Sequence, residues 1–114
     1  MRVFVTGGSG FIGSAVVRDL IAAGHSVVGL ARSKASAAAL EAVGAEPHPG
    51  SLEDLASLRA AAARTDGVIH TAFDNSSLLR FPWNSRIERS ALRAIADVIA
   101  GSDRPLVVAG GFAS

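Results

Sequence analysis

The sequence predicts a doubly wound α/β fold, in which helices cover both faces of a parallel sheet of five strands. Short apolar, β-branched runs alternate along the chain with segments of helical spacing. The first of these runs passes directly into a cluster of glycines ahead of the first helix. The 114 residues suffice for one domain, residues 1–114, and right-handed crossovers favour the strand order 3-2-1-4-5.

The strands are indicated by apolar and β-branched residues between glycine or polar boundaries. The second run is apolar almost throughout, as expected of a strand that is covered on both faces. The third is weak, because prolines interrupt it. The expected strands are residues 2–6, 26–31, 45–48, 67–71 and 105–109.

Two of the expected helices are defined by periodicity and by the glycine that ends each one. Residues 11–23 carry an apolar stripe at helical spacing and end at Gly24. Residues 34–43 form a short alanine-rich helix that ends at Gly44. Both helices connect neighbouring strands, as a parallel sheet requires.

The other two helices are predicted from their first residues. Ser51, with Asp54 three residues later, resembles a capping box and opens a helix that ends near Arg64. Ser85 and Glu88 have the same spacing and start the longest helix, which ends at Gly101. Residues 72–83, ahead of it, are expected to be irregular.

Composition excludes several classes of function. Eleven Lys and Arg against ten Asp and Glu give a net charge of +1, without the basic surplus of a nucleic-acid or membrane-surface binder. There is no cysteine, no run of 18 apolar residues and no signal-peptide pattern at Met1, so we expect a cytoplasmic protein. The three histidines do not have metal-ligand spacing, and no metal site is expected.

The glycine cluster at residues 7–13 lies where a phosphate-binding turn belongs, between a strand and a helix. It fits both Gly8-x-Gly10-x-x-Gly13 and Gly7-x-x-Gly10-x-x-Gly13. Glycine permits positive φ and leaves room for a pyrophosphate, so the turn indicates dinucleotide binding. A P-loop is excluded, because it needs Lys and then Ser or Thr where this chain has Ser14 and Ala15.

The residue that selects the cofactor is expected at the end of the second strand, about 20 residues beyond the loop. Arg32 lies there, followed by Ser33 and Lys34, and the next acid is Glu41. A carboxylate would bind the ribose hydroxyls of NAD, whereas these side chains would bind a 2′-phosphate. The sequence therefore favours NADP over NAD. The alternative is that Arg32 and Lys34 are ordinary solvated residues at a helix start.

Residues 6–13, 66–73 and 105–108 resemble the short-chain dehydrogenase/reductase superfamily, in its extended or atypical branch. Many members of this branch are labelled NAD-dependent epimerase/dehydratase. The resemblance covers the whole chain but only the N-terminal part of a member, because members are two or three times as long. It implies a Rossmann domain that is truncated relative to the family.

The resemblance also implies a set of cofactor-binding residues. Three glycines would face the pyrophosphate, and the helix start would donate N–H groups to it. Ser51 and Leu52 stand where the family often has Gly-Asp-Leu, whose acid contacts adenine, although Ser51 also fits a plain helix N-cap. The implied residues are Gly7, Ser9, Gly10, Phe11, Ile12, Gly13, Arg32, Ser33, Lys34, Ser51, Leu52, Ala72 and Phe73.

The family's catalytic residues are not found in this stretch. Members transfer hydride beside a Tyr-x-x-x-Lys pair and an upstream Ser or Thr, and these 114 residues contain no tyrosine. The serine position holds Ala109-Gly110-Gly111. We expect the NADP-binding domain of an NAD(P)-dependent oxidoreductase or epimerase that acts on an unidentified small molecule.

Two alternatives remain. One is a non-enzymatic NADP-sensing regulator of the same fold. The other is an interaction module that has lost nucleotide binding, against which the complete glycine loop argues. The apolar fifth strand is expected at an edge of the sheet and could pair with a second copy, giving a homo-oligomer.

Overall fold

The structure is a computed structural model that describes residues 1–7, 11–71 and 81–108. Its strands are β1 (Arg2–Thr6), β2 (Ser26–Ala31), β3 (Glu46–Pro49), β4 (Gly67–His70) and β5 (Leu106–Val108). Its helices are α1 (Phe11–Ala22), α2 (Lys34–Ala42), α3 (Leu55–Ala63) and α4 (Phe81–Ile99). All strand pairs are parallel, in the order β3-β2-β1-β4-β5, and this confirms the predicted fold and strand order.

Alternate residues of the central strands enter two separate cores, because side chains alternate between the faces of a strand. One core holds Phe4 and Val28 with residues of α3 and α4. The other holds Val3, Val5 and Val27 with residues of α1 and α2. Burial on both faces explains why β1 and β2 are apolar almost throughout. In the part of the chain that the structure describes, no helix is long and apolar enough to cross a membrane.

Both predicted capping boxes are wrong. Helix α3 begins at Leu55 and its N-cap is Asp54, whose Oδ1 accepts the Ser57 N–H at 3.2 Å. Ser51 instead lies in the preceding turn, where its carbonyl accepts the Asp54 N–H. Helix α4 begins four residues before Ser85, at Phe81.

Edge strand β3 contains prolines at alternate positions, and its residues are shifted by one from the prediction. The Gly50 N–H donates to the Ala31 carbonyl at 3.0 Å. In a parallel pair only alternate residues donate an N–H to the neighbouring strand, so the backbone nitrogens of Pro47 and Pro49 point away from β2. Both prolines, which have no N–H, therefore occupy positions at which no donor to β2 is needed.

Arg104 connects the carboxyl ends of two helices. Its Nη1 donates to the Ala62 carbonyl at 3.1 Å, and its Nη2 donates to the Val98 carbonyl at 3.3 Å. These acceptors lie in the last turns of α3 and α4, where carbonyls lack intrahelical partners and a cation is favoured. Arg104 therefore fixes the two helices against each other below β5.

A small charged network lies at the amino end of the sheet. Glu46 contacts the guanidinium groups of Arg2 at 2.7 Å and Arg64 at 3.1 Å. Slight desolvation acts to raise the pKa of Glu46, but hydrogen bonds and charge from Arg64 and Arg2 outweigh it and lower that pKa. Arg64 also donates to His48 Nδ1 at 3.1 Å, so the His48 proton lies on Nε2, which donates to the Ser57 carbonyl at 3.0 Å.

We expect Glu46 to contribute a small, pH-dependent part of the stability. A lowered carboxyl pKa stabilises the fold above the ordinary value of 4.5, and this contribution is lost as the pH falls through the lowered pKa. Because the side chain is half exposed, the effect is no more than about 0.5 kcal/mol. Urea unfolding from pH 7 to pH 3 should show this loss in the wild type and not in Glu46→Gln. The control is Glu53→Gln, an exposed acid without an ion pair among the described residues; an equal effect there would contradict the assignment.

Candidate cofactor-binding site

Two glycines allow β1, α1 and β4 to meet at the carboxyl edge of the sheet. Gly7 ends β1 with a φ of +70°, and a Cβ there would lie 2.6 Å from the Thr71 carbonyl oxygen. A Cβ on Gly13 would overlap the Gly7 carbonyl and lie 2.7 Å from Thr71 Oγ1. Neither position accepts a side chain, so the strand-to-helix turn is built on glycine at both ends.

Helix α1 starts directly beyond this turn, at Phe11. The N–H groups of its first turn, including those of Phe11 and Ile12, have no intrahelical acceptors and carry the positive end of the helix dipole. Such a helix start binds anions. Ser9 and Gly10, which the sequence also assigns to this turn, lie outside the described residues.

A cleft of about 520 Å³ opens beside the carboxyl ends of β2 and β3. Two of its walls come from the start of α2 and from the turn after β3. Its lining residues are Ala31, Arg32, Ser33, Lys34, Ala37, Pro47, Pro49, Gly50, Ser51 and Asp54. The structure therefore brings four of the predicted site residues, Arg32, Ser33, Lys34 and Ser51, to one cleft.

The charged side chains of the cleft are mainly basic. Arg32 and Lys34 are exposed and form no ion pair with any residue that the structure describes. Asp54 supplies the one carboxylate of the lining, and its Oδ1 is held by the Ser57 N–H. These two cations therefore give the end of β2 a positive charge that no described acid neutralises.

The two serines of the cleft differ in their freedom to bind a ligand. Ser33 is the N-cap of α2: its Oγ accepts the Ser36 N–H at 3.1 Å and donates to Ser36 Oγ at 3.0 Å. The Ser51 hydroxyl makes no hydrogen bond within the described residues. Because Asp54 caps α3, the Ser51 hydroxyl is not used as an N-cap and remains available to a ligand. The prediction that Ser51 is a plain N-cap did not anticipate this.

Other predicted site residues lie elsewhere. Leu52 is half-buried and packs against the core between the sheet and the α3–α4 layer, rather than lining the cleft. Ala72 and Phe73 lie outside the described residues. Sequence reasoning missed Asp54 as a cleft residue, because its spacing from Ser51 was interpreted only as a capping signal.

Beneath the glycine turn, a buried set of hydrogen bonds joins β1, β4 and α4. The Thr71 N–H donates to Thr6 Oγ1 at 3.2 Å, and Thr71 Oγ1 donates to the Thr6 carbonyl at 2.6 Å. Thr6 Oγ1 lies 2.7 Å from His70 Nδ1, and His70 Nε2 lies 3.2 Å from Glu88 Oε1. His70 is 1% exposed and both its ring nitrogens have partners, so it has a structural role in joining these elements.

The other two histidines lie in different surroundings. His48 is engaged by Arg64 and Ser57, and His25 is half-buried. Among residues 1–7, 11–71 and 81–108, no three His, Asp or Glu side chains cluster as metal ligands do.

Comparison with known proteins decides the family. The model of the NAD dependent epimerase/dehydratase family matches residues 3–84, which is more than half of the chain. The chain belongs to this family. The matched residues include the glycine turn, the residues that line the cleft, and His70, while Glu88 lies just beyond the match.

The relatives of this epimerase/dehydratase-family chain are longer than it is. It is 48% identical over 107 residues to an uncharacterized protein of Schizosaccharomyces pombe, covering 94% of this chain and 36% of that protein. It is 43% identical over 72 residues to 4-hydroxy-2-methyl-3-oxo-4-farnesyl-3,4-dihydroquinoline-1-oxide ketoreductase of Stigmatella aurantiaca, covering 63% of this chain and 22% of that enzyme. The chain thus spans between about a fifth and two fifths of the length of these relatives.

Among solved structures, the chain is similar to AtPrR2 with NADP+ and (+)pinoresinol. The two superpose with a TM-score of 0.71 at 27% identity, covering 93% of this chain and 35% of the other. The family model names NAD, and this neighbour holds NADP+. The chain is therefore an NAD(P)-binding domain of the epimerase/dehydratase type, with reductases among its homologues.

Proposed function

We propose that this domain binds NADP in preference to NAD, as the cofactor part of a reductase that acts on a small molecule. The observation that carries the proposal is the presence at the end of β2 of two cations, Arg32 and Lys34, that form no ion pair with the described residues. A 2′-phosphate carries a charge that these side chains would bind, and NADH offers only ribose hydroxyls there. The adenosine end of the cofactor would lie in the cleft between α2 and the turn after β3.

The pyrophosphate would lie over the start of α1. The close packing of Gly7 on Thr71 and of Gly13 on Gly7 brings the start of α1 to the end of β1, and the first-turn N–H groups of α1 offer donors to the phosphate oxygens. Ser51 supplies a hydroxyl for the adenosine end, where the family often has an acid. The domain would thus hold the dinucleotide across the carboxyl edge of the sheet, which is where ligands bind in doubly wound folds.

The test is a calorimetric titration of the intact protein with NADPH and NADH. Arg32→Ala should raise the Kd for NADPH by roughly 10- to 100-fold, because it removes charge-assisted hydrogen bonds worth about 1.5–3 kcal/mol. The Kd for NADH should change little. Arg18→Ala, which removes an exposed arginine of α1 away from the cleft, is the matched control. Equal affinity for NADPH and NADH in the wild type would contradict the proposal.

Turnover separates the reductase from the alternative, a non-enzymatic NADP sensor of the same fold. The sequence feature that favours the sensor is Ala109-Gly110-Gly111, which stands where members of the family have the catalytic Ser or Thr. Oxidation of NADPH by the intact protein with a panel of ketones and aldehydes supports the reductase. Tight NADPH binding without oxidation across the panel supports the sensor.

A further inference from the structure

The buried hydrogen bonds beneath the glycine turn form a continuous series between α4 and Thr71, with each donor pointing toward α4. Glu88 contacts His70, His70 contacts Thr6, and Thr6 holds Thr71. The carbonyl and hydroxyl of Thr71 are the atoms that a Cβ at Gly7 would meet at 2.6 and 2.9 Å. We call this series of hydrogen bonds, from Glu88 through His70 and Thr6 to Thr71, the relay. Its last residue, Thr71, forms the surface against which Gly7 packs.

The proton positions in the relay follow from its donors and acceptors. Thr6 Oγ1 accepts the Thr71 N–H, so its own proton is free to point at His70 Nδ1. His70 then carries its proton on Nε2 and donates it to the Glu88 carboxylate. Removal of the Glu88 carboxylate takes away the acceptor that this buried His70 N–H has among the described residues.

Glu88 differs from the other charged residues of α4 in its surroundings. Its side chain is 24% exposed, while Arg86, Arg89 and Arg93 of the same helix are exposed to solvent. Partial burial of the Glu88 carboxylate costs free energy unless the carboxylate accepts a hydrogen bond. His70, which is 1% exposed, supplies that hydrogen bond. Helix α4 is thereby fixed to the end of β4, next to the turn.

We infer that Glu88 is a positioning residue for the dinucleotide: through His70 and Thr6 it fixes the Thr71 surface against which the Gly7 turn packs. The consequence for affinity rests on the proposed function, whereas the positioning of Thr71 does not. Binding of a pyrophosphate to backbone N–H groups depends on sub-ångström placement of the turn, so loss of the anchor in α4 weakens binding at a distance.

The experiment compares Glu88→Ala with Glu88→Gln in the intact protein. The glutamine retains an oxygen that accepts the His70 Nε2 proton, and alanine does not. Three readouts are measured: the Kd for NADPH, the ¹⁵N signals of the His70 ring, and hydrogen exchange of the Thr71 amide. Ile95→Val, a truncation in the same helix of a buried side chain that belongs to the core around Phe4 and Leu58, controls for general loss of stability.

For Glu88→Ala we expect the Kd for NADPH to rise roughly three- to tenfold, the His70 ring signals to shift and the Thr71 amide to exchange faster. Glu88→Gln and Ile95→Val should bind NADPH like the wild type. The inference is overturned if alanine and glutamine behave alike in all three readouts, or if Ile95→Val weakens binding as much as Glu88→Ala. If the wild type binds no dinucleotide, the proposed function fails, and the His70 and Thr71 signals still decide the positioning role.

Discussion

Replacement of Gly13 by alanine is expected to abolish dinucleotide binding and to lower the free energy of unfolding by about 3 kcal/mol. The new methyl group would overlap the Gly7 carbonyl, which is backbone and cannot rotate away, and would press on Thr71 Oγ1 at 2.7 Å. Helix α1 must then move off the sheet. That movement displaces the first-turn N–H groups from the position in which they would meet a pyrophosphate.

Urea unfolding and NADPH titration of the same samples check this result. Gly24→Ala is the matched control, because Gly24 has a φ of +94° but no atom lies within 4 Å of its Cβ position. It should cost about 1 kcal/mol of stability through backbone strain and leave binding intact. A Gly13→Ala variant that binds NADPH with the wild-type Kd would show that the close approach of α1 to β1 is not required.

Replacement of Phe4 by alanine is expected to lower the free energy of unfolding by about 4 kcal/mol. Phe4 is fully buried in the core under α3 and α4, and its ring meets that of His48 edge-on at 6.1 Å. Because it lies in the central strand, no neighbouring element can close over the resulting cavity without a shift of the sheet. Small domains are stable by about 5–15 kcal/mol, so the variant would be close to unfolding.

The same residue offers a graded control. Phe4→Leu keeps most of the volume and should cost less than about 1.5 kcal/mol. Urea unfolding at pH 7 measures both, and the slope of each transition shows whether unfolding remains cooperative. Similar losses for alanine and leucine would indicate that the aromatic contact with His48, rather than the filled volume, holds this core.

Sequence patterns predicted the sheet and its order, and they singled out four of the ten residues that line the cleft. Apolar runs between glycines define the strands, and a basic residue after the second strand marks one wall of the cleft. The same rules failed at Ser85. Its partner in the predicted capping box, Glu88, is drawn to His70, a residue 18 positions away that only the tertiary fold brings close.

The turn after β3 shows a second limit of local rules. Ser51 and Asp54 are both good N-cap residues, and their spacing alone does not choose between them. In the structure the Ser57 hydroxyl donates to the Pro49 carbonyl at 2.7 Å, and Asp54 caps the helix. This arrangement turns Leu52 to the core and leaves Ser51 in the cleft, a division that depends on how α3 packs against the sheet.

The prolines of β3 determine how this sheet can associate with other strands. Pro47 and Pro49 face away from β2, so the outer edge of β3 offers no N–H donors at either position. A strand that docks alongside β3 needs such donors. Another sheet therefore cannot extend this one at β3, and this edge is protected against the edge-to-edge pairing that leads to aggregation.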